Sequence, residues 1–354
     1  MSKVKVAKRT VANLERVYSI AAVPGLKVDG WPAFLAGSEG DASLLYFEPP
    51  QYEPIEIANE PGGFISLGAF ERDTTAYVVT ATDFKPGFKA ENCRIIVYPL
   101  DEAARGKSLE VGTLPYTHRV AVLALGGRQC FLGSTLCAAK AFKYDWTQPG
   151  GIHLAVIPDK IESRWEFRQI VTGLNKNHGM DFAQLDKTGR GGFLLSAMEG
   201  LFFMEIPAGP DDRWEVETIA EGEHSDAFAY DWDTTGYAQV FAISPFHGNT
   251  VTIHRREQSR WSGTVIADDI SMGHVLWAGE LLGRPGLLVG GRDGRKELRL
   301  YRKSGPQGKD FSYELIDEGI GPTQIAVVDR GKDSAGLIVA AHAVNQVRTY
   351  TLTE

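Results

Sequence analysis

The chain has 354 residues, 43% of them hydrophobic, which is enough to bury a large core. Its 37 basic and 45 acidic side chains give a net charge of −8, and no basic tract stands out, so nucleic acid and anionic membranes are not expected partners. The first residues carry no apolar signal segment and no apolar run is long enough to span a bilayer, which predicts a cytoplasmic protein with no membrane span.

Short strand-like runs separated by polar turns follow one another along the whole chain. The first is an alternating run at residues 4–12, and the later runs fall into groups of four. Two long insertions, at 84–92 and 140–151, lengthen the second and third groups. The seven groups open at Tyr18, Phe64, His118, His178, His224, His274 and Thr323.

A repeated Arg-Trp phrase marks the period of these groups. Trp165, Trp214 and Trp261 are separated by 49 and 47 residues, and each precedes a group that opens with a histidine. Four strands in every 40–50 residues are typical of β-propeller blades. The sequence therefore predicts an all-β fold: one domain over residues 1–354, a seven-bladed β-propeller with four-stranded antiparallel blades.

The last group supplies only three runs after Thr323. The N-terminal run at 4–12 is therefore expected to be its fourth strand. This arrangement closes the ring and leaves no exposed sheet edge.

In a propeller blade, the start of the first strand and the loop after the second strand lie on the same face, near the axis. The second-strand exits are Glu39, Asp83, Thr135, Glu199, His247, Arg292 and His342. Six of the eight histidines fall at these exits or at the seven openings. This distribution predicts a titratable funnel at the mouth of the central channel.

Imidazole titrates near neutrality and can act as an acid, a base or a metal ligand. The candidate catalytic residues are His178, His224, His247, His274 and Arg292. The candidate substrate-binding residues are Tyr18, Phe64, His118, Trp277, Glu39, Asp83, Phe246 and His342. The alternative is that such histidines only satisfy backbone groups around a water-filled channel. His254, which alternates with core residues on a strand, is interpreted as structural.

Two segments resemble a known family. The phrases SPFHGNTVTIHRR (244–256) and GHVLWAGELLGRPGLLVGGRDGRKELRLYRK (273–303) resemble blades of aldos-2-ulose dehydratase-like propellers, within the FG-GAP/VCBS group of repeats. That group is similar in fold to seven-bladed lyases that cleave rhamnose–glucuronate linkages by β-elimination. The resemblance is clearest over 178–303, and it implies functional roles for His247, His274, Trp277 and Arg292.

Three functions remain open at this stage. The first is a carbon–oxygen lyase or dehydratase for a sugar-like or other small oxygenated substrate. In it, one histidine removes an acidic proton, a second histidine or a metal-bound water protonates the leaving oxygen, and Arg292 or a metal holds the enolate. The candidate cofactor is a divalent metal (zinc, magnesium or calcium) with no ligand set assigned, and no organic cofactor is expected.

The second function is a fungal-type biosynthetic enzyme that catalyses a dehydration-linked hetero-Diels–Alder cyclisation. Here the aromatic residues Tyr18, Phe64, Trp277 and Phe246, and the loops near Trp146, would shape the pocket. The third is a non-enzymatic interaction scaffold, because a fold does not imply a function. The sequence leaves the oligomeric state open.

Overall fold

The computed structural model describes residues 3–104, 106–161, 164–189, 191–258, 260–304 and 310–354. Within these ranges, 28 strands form seven four-stranded antiparallel sheets. The predicted fold class is confirmed: the protein is an all-β, seven-bladed β-propeller. The described helical segments are short 3₁₀ turns, including Glu102–Ala104 and His342–Val344, and none has the length and apolar character to cross a membrane.

Each blade runs from an inner strand at the channel to an outer strand at the rim. Blades 1 to 3 comprise β2 (Val17–Val28), β3 (Trp31–Ser38), β4 (Leu44–Phe47), β5 (Pro54–Ala58); β6 (Ser66–Arg72), β7 (Thr75–Thr82), β8 (Arg94–Pro99), β9 (Leu109–Thr113); β10 (Thr117–Leu125), β11 (Arg128–Thr135), β12 (Gly150–Val156), β13 (Arg168–Leu174). Blades 4 and 5 comprise β14 (Gly179–Gln184), β15 (Gly191–Ser196), β16 (Gly200–Glu205), β17 (Val216–Glu221); β18 (Ala227–Tyr230), β19 (Gln239–Ser244), β20 (Thr250–Glu257), β21 (Arg260–Ala267). Blades 6 and 7 comprise β22 (Gly273–Leu281), β23 (Arg284–Gly291), β24 (Leu298–Ser304), β25 (Asp310–Asp317); β26 (Pro322–Asp329), β27 (Ser334–Ala341), β28 (Gln346–Thr353) and β1 (Lys5–Asn13).

The N-terminal strand closes the ring, as the sequence predicted. β1 pairs antiparallel with β28, with Lys5 opposite Thr353 and Asn13 opposite Gln346. Blade 7 therefore has four strands like the others, and the outer edge of β28 is covered.

The core lies between neighbouring blades. Leu288 of blade 6 and Leu337 and Tyr350 of blade 7 share one fully buried cluster. The second strands are buried over most of their length, because both of their faces pack against adjacent blades. The Trp residues of the repeated phrase join this packing beside the outer strands, as Trp165 does against Phe131 at 5.8 Å.

Several inner strands begin with a β-bulge. Tyr18, His118 and His274 have no partner residue in the ladder, because the pairing skips from Val17 to Ser19, from Thr117 to Arg119 and from Gly273 to Val275. In blade 4, the amide of His178 and the paired residue Gly179 both face Ser196. A bulge redirects the extra side chain, and here it turns four side chains towards the axis.

Candidate functional site

Four histidines and one tyrosine from five blades meet on the axis, at the face where the inner strands begin. The Tyr18 hydroxyl lies 2.9 Å from His274 Nε2 and 3.1 Å from His118 Nε2. His247, from the β19–β20 loop, places its Nε2 3.2 Å from His178 Nε2. We call Tyr18, His118, His178, His247 and His274 the axial cluster. The expected convergence of inner-strand openings and second-strand exits is present for these residues.

Hydrogen bonds to the next blade fix the orientation of the inner histidines. His118, His178 and His274 place Nδ1 at 3.1, 3.2 and 2.9 Å from the carbonyl oxygens of His178, Ser225 and Thr323, respectively. A carbonyl can only accept, so each Nδ1 donates its proton and each Nε2 directs a lone pair at the axis. At His118 the Arg119 guanidinium also approaches Nδ1, at the longer distance of 3.3 Å.

The cluster is deeply buried, and burial sets its charge. His118, His178 and His274 are at most 2% exposed. Burial lowers the pKa of each, and the charge of Arg292 lowers the pKa of His274 further. Burial also lowers the pKa of His247 and raises the pKa of Tyr18 to about 12. At neutral pH the cluster therefore contains four neutral imidazoles and one protonated phenol.

Three of these imidazoles lie close enough together to hold a metal ion. His178, His247 and His274 each offer one ring nitrogen, and the three nitrogens lie within 4.8 Å of one another. Tetrahedral zinc with Zn–N bonds of about 2.0–2.1 Å separates two ligand nitrogens by about 3.3 Å, close to the 3.2 Å between His178 and His247. The Nδ1–H bonds of His178 and His274 to carbonyls are of the kind that orients histidines in known metal sites.

A buried ionic group supports the cluster from the channel side. Asp226 places Oδ2 3.2 Å from His178 Nδ1, and its Oδ1 lies 3.5 Å from the Arg119 guanidinium. Burial alone would raise the pKa of Asp226, but His178 and Arg119 more than offset it, so this pKa is lowered. Burial raises the pKa of the neighbouring Asp181 to about 7. Asp226, Arg119 and Asp181 line a cavity of about 70 Å³ that continues down the channel.

The sequence analysis did not predict Asp226, Arg119 or Asp181, because it considered only the first residue of each blade and the exits of the second strands. Their signal was modest: charged residues one to three positions after a blade opening, where the inner strand faces the channel.

Four aromatic rings cover one side of the cluster. Phe84 packs 5.6 Å from His118, and Phe246 stacks on His247 at 4.1 Å. Phe88 lies 6.4 Å from Phe246 and 5.5 Å from Trp146. We call Phe84, Phe88, Trp146 and Phe246 the aromatic wall. Two of the loops that build it are the insertions at 84–92 and 140–151, and Lys140 caps it with its ammonium 3.1 Å from the Trp146 ring.

Three expected funnel residues lie elsewhere. His224 donates through Nδ1 to the Gly222 carbonyl at 2.8 Å and faces His254, away from the axis. The reason is the start of β18: Ser225 and Asp226 both pair with Ile243, so Ser225 takes the place that His178 has in blade 4.

Phe64 is fully buried in the core between blades 1 and 2, packed against Tyr98. Asp83 forms an ion pair with Arg94, with 2.7 Å between Oδ2 and Nε. Both occupy their predicted places in the chain, but their side chains turn into a blade interface or towards a local cation.

The remaining predicted residues surround the cluster. His342 Nε2 lies 2.8 Å from Glu39 Oε1, and the Arg292 guanidinium lies 5.7 Å from the centre of the Tyr18 ring. Burial alone would raise the pKa of Glu39, but the His342 hydrogen bond and the charge of Arg292 lower it. Trp277 lies deeper in the channel, with its ring 6.1 Å from that of Phe228.

Fold and site together define a seven-bladed β-propeller with a histidine-rich centre on its axis. No family model and no curated protein matches the chain. Among solved structures it is similar to YCF48 bound to D1 peptide, with 11% identity, TM-score 0.56, and coverage of 98% of this chain and 94% of that one. It is also similar to the Dos1 propeller, with 10% identity, TM-score 0.55, and coverage of 95% and 77%.

A third likeness is to the Cps50 (Swd1) β-propeller domain of Myceliophteria thermophila, with 10% identity, TM-score 0.57, and coverage of 98% and 100%. At these identities the likeness establishes the propeller fold alone.

Proposed function

We propose that the protein is a metal-dependent carbon–oxygen lyase of the dehydratase type, acting on a small oxygenated substrate. The observation that carries the proposal is the convergence of His178, His247 and His274, whose ring nitrogens lie within 4.8 Å of one another. Three histidines with an open fourth position are a common ligand set for catalytic zinc. The family resemblance of residues 178–303 to aldos-2-ulose dehydratase-like propellers supports the same reaction class.

A divalent ion held by these three histidines would polarise a substrate carbonyl and stabilise the enolate. His118 is outside the ligand set, and its Nε2 is the general base that removes the proton next to that carbonyl. As the carbon–oxygen bond breaks, the Tyr18 hydroxyl donates its proton to the leaving oxygen. A phenol with a pKa near 12 can protonate a departing hydroxide, because water has a pKa of about 15.7.

The same contact resets the site. His118 Nε2 lies 3.1 Å from the Tyr18 hydroxyl, so the proton taken from carbon returns to the tyrosinate after water has left. No proton is gained or lost over the cycle, and the products are the unsaturated carbonyl compound and water.

A dehydration-linked cyclisation is the second candidate, and the aromatic wall favours it. The rings of Phe84 and Phe246 contact His118 and His178 directly, at 5.6 and 5.5 Å. An apolar surface beside neutral imidazoles suits a substrate that must be folded in shape as well as dehydrated. In that case, removing wall aromatics would impair turnover more than removing a metal would.

A peptide-binding scaffold is the third candidate. Phe142 and Tyr144, in the blade 3 insertion, are 65% and 72% exposed, and one structurally similar protein, YCF48, was solved with a peptide. Binding to such a surface does not require imidazole nitrogens to converge inside the channel, so we rank it below the enzymatic candidates.

The deciding experiment is the metal content of the purified protein by mass spectrometry, together with turnover before and after chelation. We expect about one divalent ion per chain. Chelation should remove the ion and abolish the dehydration of β-hydroxycarbonyl substrates, and adding the ion back should restore this activity. His247→Ala should lose the ion, and the matched control His224→Ala should keep it. A metal-free protein whose turnover ignores chelation would overturn the metal-dependent lyase and favour the cyclase.

A further inference from the structure

A separate cleft opens on the same face, where blades 6, 7 and 1 meet. It has a volume of about 410 Å³. Its main lining residues are Glu15, Arg16, Met272, Arg292, Lys296 and His342. It lies outside the aromatic wall, on another side of the axial cluster.

The charges of this cleft do not balance. Arg16, Arg292 and Lys296 contribute three positive charges, whereas Glu15 and the adjoining Glu39 contribute two negative ones. Glu39 is held by Arg16 at 2.6 Å, by His342 at 2.8 Å and by Arg292 at 3.8 Å. The three cations therefore exceed the two carboxylates by one charge, and His342 adds no negative charge.

Arg292 joins the cleft to the axial cluster. Its guanidinium lies 5.7 Å from the centre of the Tyr18 ring, and the Tyr18 hydroxyl contacts both His118 and His274. The Arg292 backbone amide is anchored to the Met272 carbonyl at 2.9 Å. The guanidinium itself lies 3.2 Å from His342 Nε2 and 3.8 Å from Glu39 Oε1. It is therefore held between the cleft and the reacting groups, and an anion bound to it would lie within one side chain of the cluster.

We infer that this cleft, with Arg292 and Lys296 as its cations, is a carboxylate-binding subsite, so that the substrate of the axial cluster is a small carboxylic acid. Guanidinium binds carboxylate through paired hydrogen bonds. One carboxylate neutralises the one positive charge by which the cations exceed the two glutamates. Met272 adds an apolar contact for the carbon next to the carboxylate. The substrate assignment rests on the proposed lyase function; carboxylate binding itself does not.

The test is a ¹⁹F NMR titration of the chelated, metal-free protein with trifluoroacetate as the probe. We expect saturable line broadening, weakened about tenfold or more in Lys296→Gln and in Arg292→Gln, as the loss of a hydrogen bond to a charged group predicts. Arg295→Gln is the matched control. It removes a cation from the same loop, but its partners Glu297 and Glu318 lie outside the cleft, so affinity should stay within about twofold of the unmodified chain.

Absence of saturable binding, or equal weakening by all three variants, would overturn the subsite. Tighter competition by inorganic phosphate than by acetate would overturn its assignment to carboxylates. If Arg292→Gln fails to fold, the variant of the half-buried Lys296 still decides the question. If the protein binds metal and dehydrates its substrate but does not bind trifluoroacetate, only the carboxylate subsite is refuted. If it binds trifluoroacetate but no metal, only the proposed lyase function is refuted.

Discussion

The protein has two pairs of buried histidines that differ in one respect. His178 and His274 lie on the axis with ring centres 4.9 Å apart, and His224 and His254 lie between blades 4 and 5 with ring centres 5.9 Å apart. All four are buried, and burial lowers the pKa of each. Burial and a perturbed pKa therefore do not distinguish a candidate site from packing in this molecule.

The difference is convergence. The axial pair directs Nε2 atoms at a volume shared with His247 and Tyr18, and their Nδ1 atoms are held by carbonyls of neighbouring blades. In the outer pair, His224 bonds its own loop, and the buried Nε2 of His254 has no hydrogen-bond partner among the described residues. A site needs several blades to aim free nitrogens at one point, and only the axial pair meets that condition.

The largest expected effect comes from removing one imidazole of each pair. His178→Ala or His274→Ala should weaken zinc binding by more than about 100-fold, because each removes a direct ligand, whereas loss of an outer contact costs 10–100-fold. His224→Ala and His254→Ala should change it by less than about twofold. Competition with a chromogenic chelator measures the affinities, and equal losses in the two pairs would refute the distinction.

A smaller effect is expected when the support of the axial pair is weakened without removing it. Asp226→Asn keeps the shape but loses the charge that faces His178 Nδ1 at 3.2 Å, and should lower zinc affinity by about 10–100-fold. Asp181→Asn is the control, because Asp181 lines the same cavity but interacts with the charges of Arg119 and Asp226. If both variants bind zinc like the unmodified chain, Asp226 has no positioning role.

Acid should destabilise the metal-free protein through both pairs. Each imidazole has a folded-state pKa below its unfolded value of about 6.5, so the unfolded chain binds more protons. Stability is then complete above about pH 6.5 and falls as the pH drops towards the folded values. For His254, whose pKa is lowered to about 4, the loss between pH 6.5 and 5 is up to about 2 kcal/mol.

Urea unfolding at pH 7 and pH 5 measures this loss. Between these pH values the free energy of unfolding should decrease less in His254→Gln than in the unmodified chain. Saturating zinc should make the stability of the unmodified chain depend more steeply on pH, because protons compete with the metal for the axial nitrogens. It should not do so in His274→Ala. Asp181, whose pKa is raised to about 7, contributes in the opposite direction in both the unmodified chain and His254→Gln. The same pH dependence in His254→Gln and the unmodified chain would therefore contradict the burial of His254 in neutral form.

The smallest effect separates the aromatic wall from its exposed neighbour. Phe246→Ala removes a ring stacked on His247 at 4.1 Å and should cost about 1–2 kcal/mol of stability through lost apolar contact. Phe142→Ala should stay within about 0.5 kcal/mol, because that ring is exposed. Thermal melts with and without zinc measure both, and a larger cost for Phe142 would point to packing on the exposed side of the insertion.

The fold was predictable because it depends on repetition. The spacing of Trp165, Trp214 and Trp261, and the missing fourth strand of the last blade, were enough to predict the ring and its closure. Tyr18, His118, His178, His247 and His274 were also predictable as neighbours, because strand order places inner-strand openings and second-strand exits on one face. What these residues do remains a proposal.

The error at His224 has a local cause. His178 and His224 hold the same place in the repeated sequence pattern, but in the structure Ser225 is the residue equivalent to His178, because the pairing shifts by one residue at the start of β18. A one-residue shift in pairing turns a side chain to the other face of the sheet, and the spacing of residues in the sequence does not reveal such a shift. The aromatic wall was predicted in part: Phe246 and the loops near Trp146 were expected to shape a pocket, whereas Phe84 and Phe88 were not. Their irregular loop follows a path that is set by packing between loops.

The bulges that open the inner strands have an evolutionary consequence. Because the extra residue is unpaired in the ladder, replacing it leaves the strand register unchanged. The chain carries Tyr18, His118, His178, Ser225, His274 and Thr323 at such positions, chemically diverse groups on repeated scaffolds. Duplicated blades can thus diverge in chemistry by single substitutions. A descendant with other residues at these positions would keep the same propeller but have a different axial site.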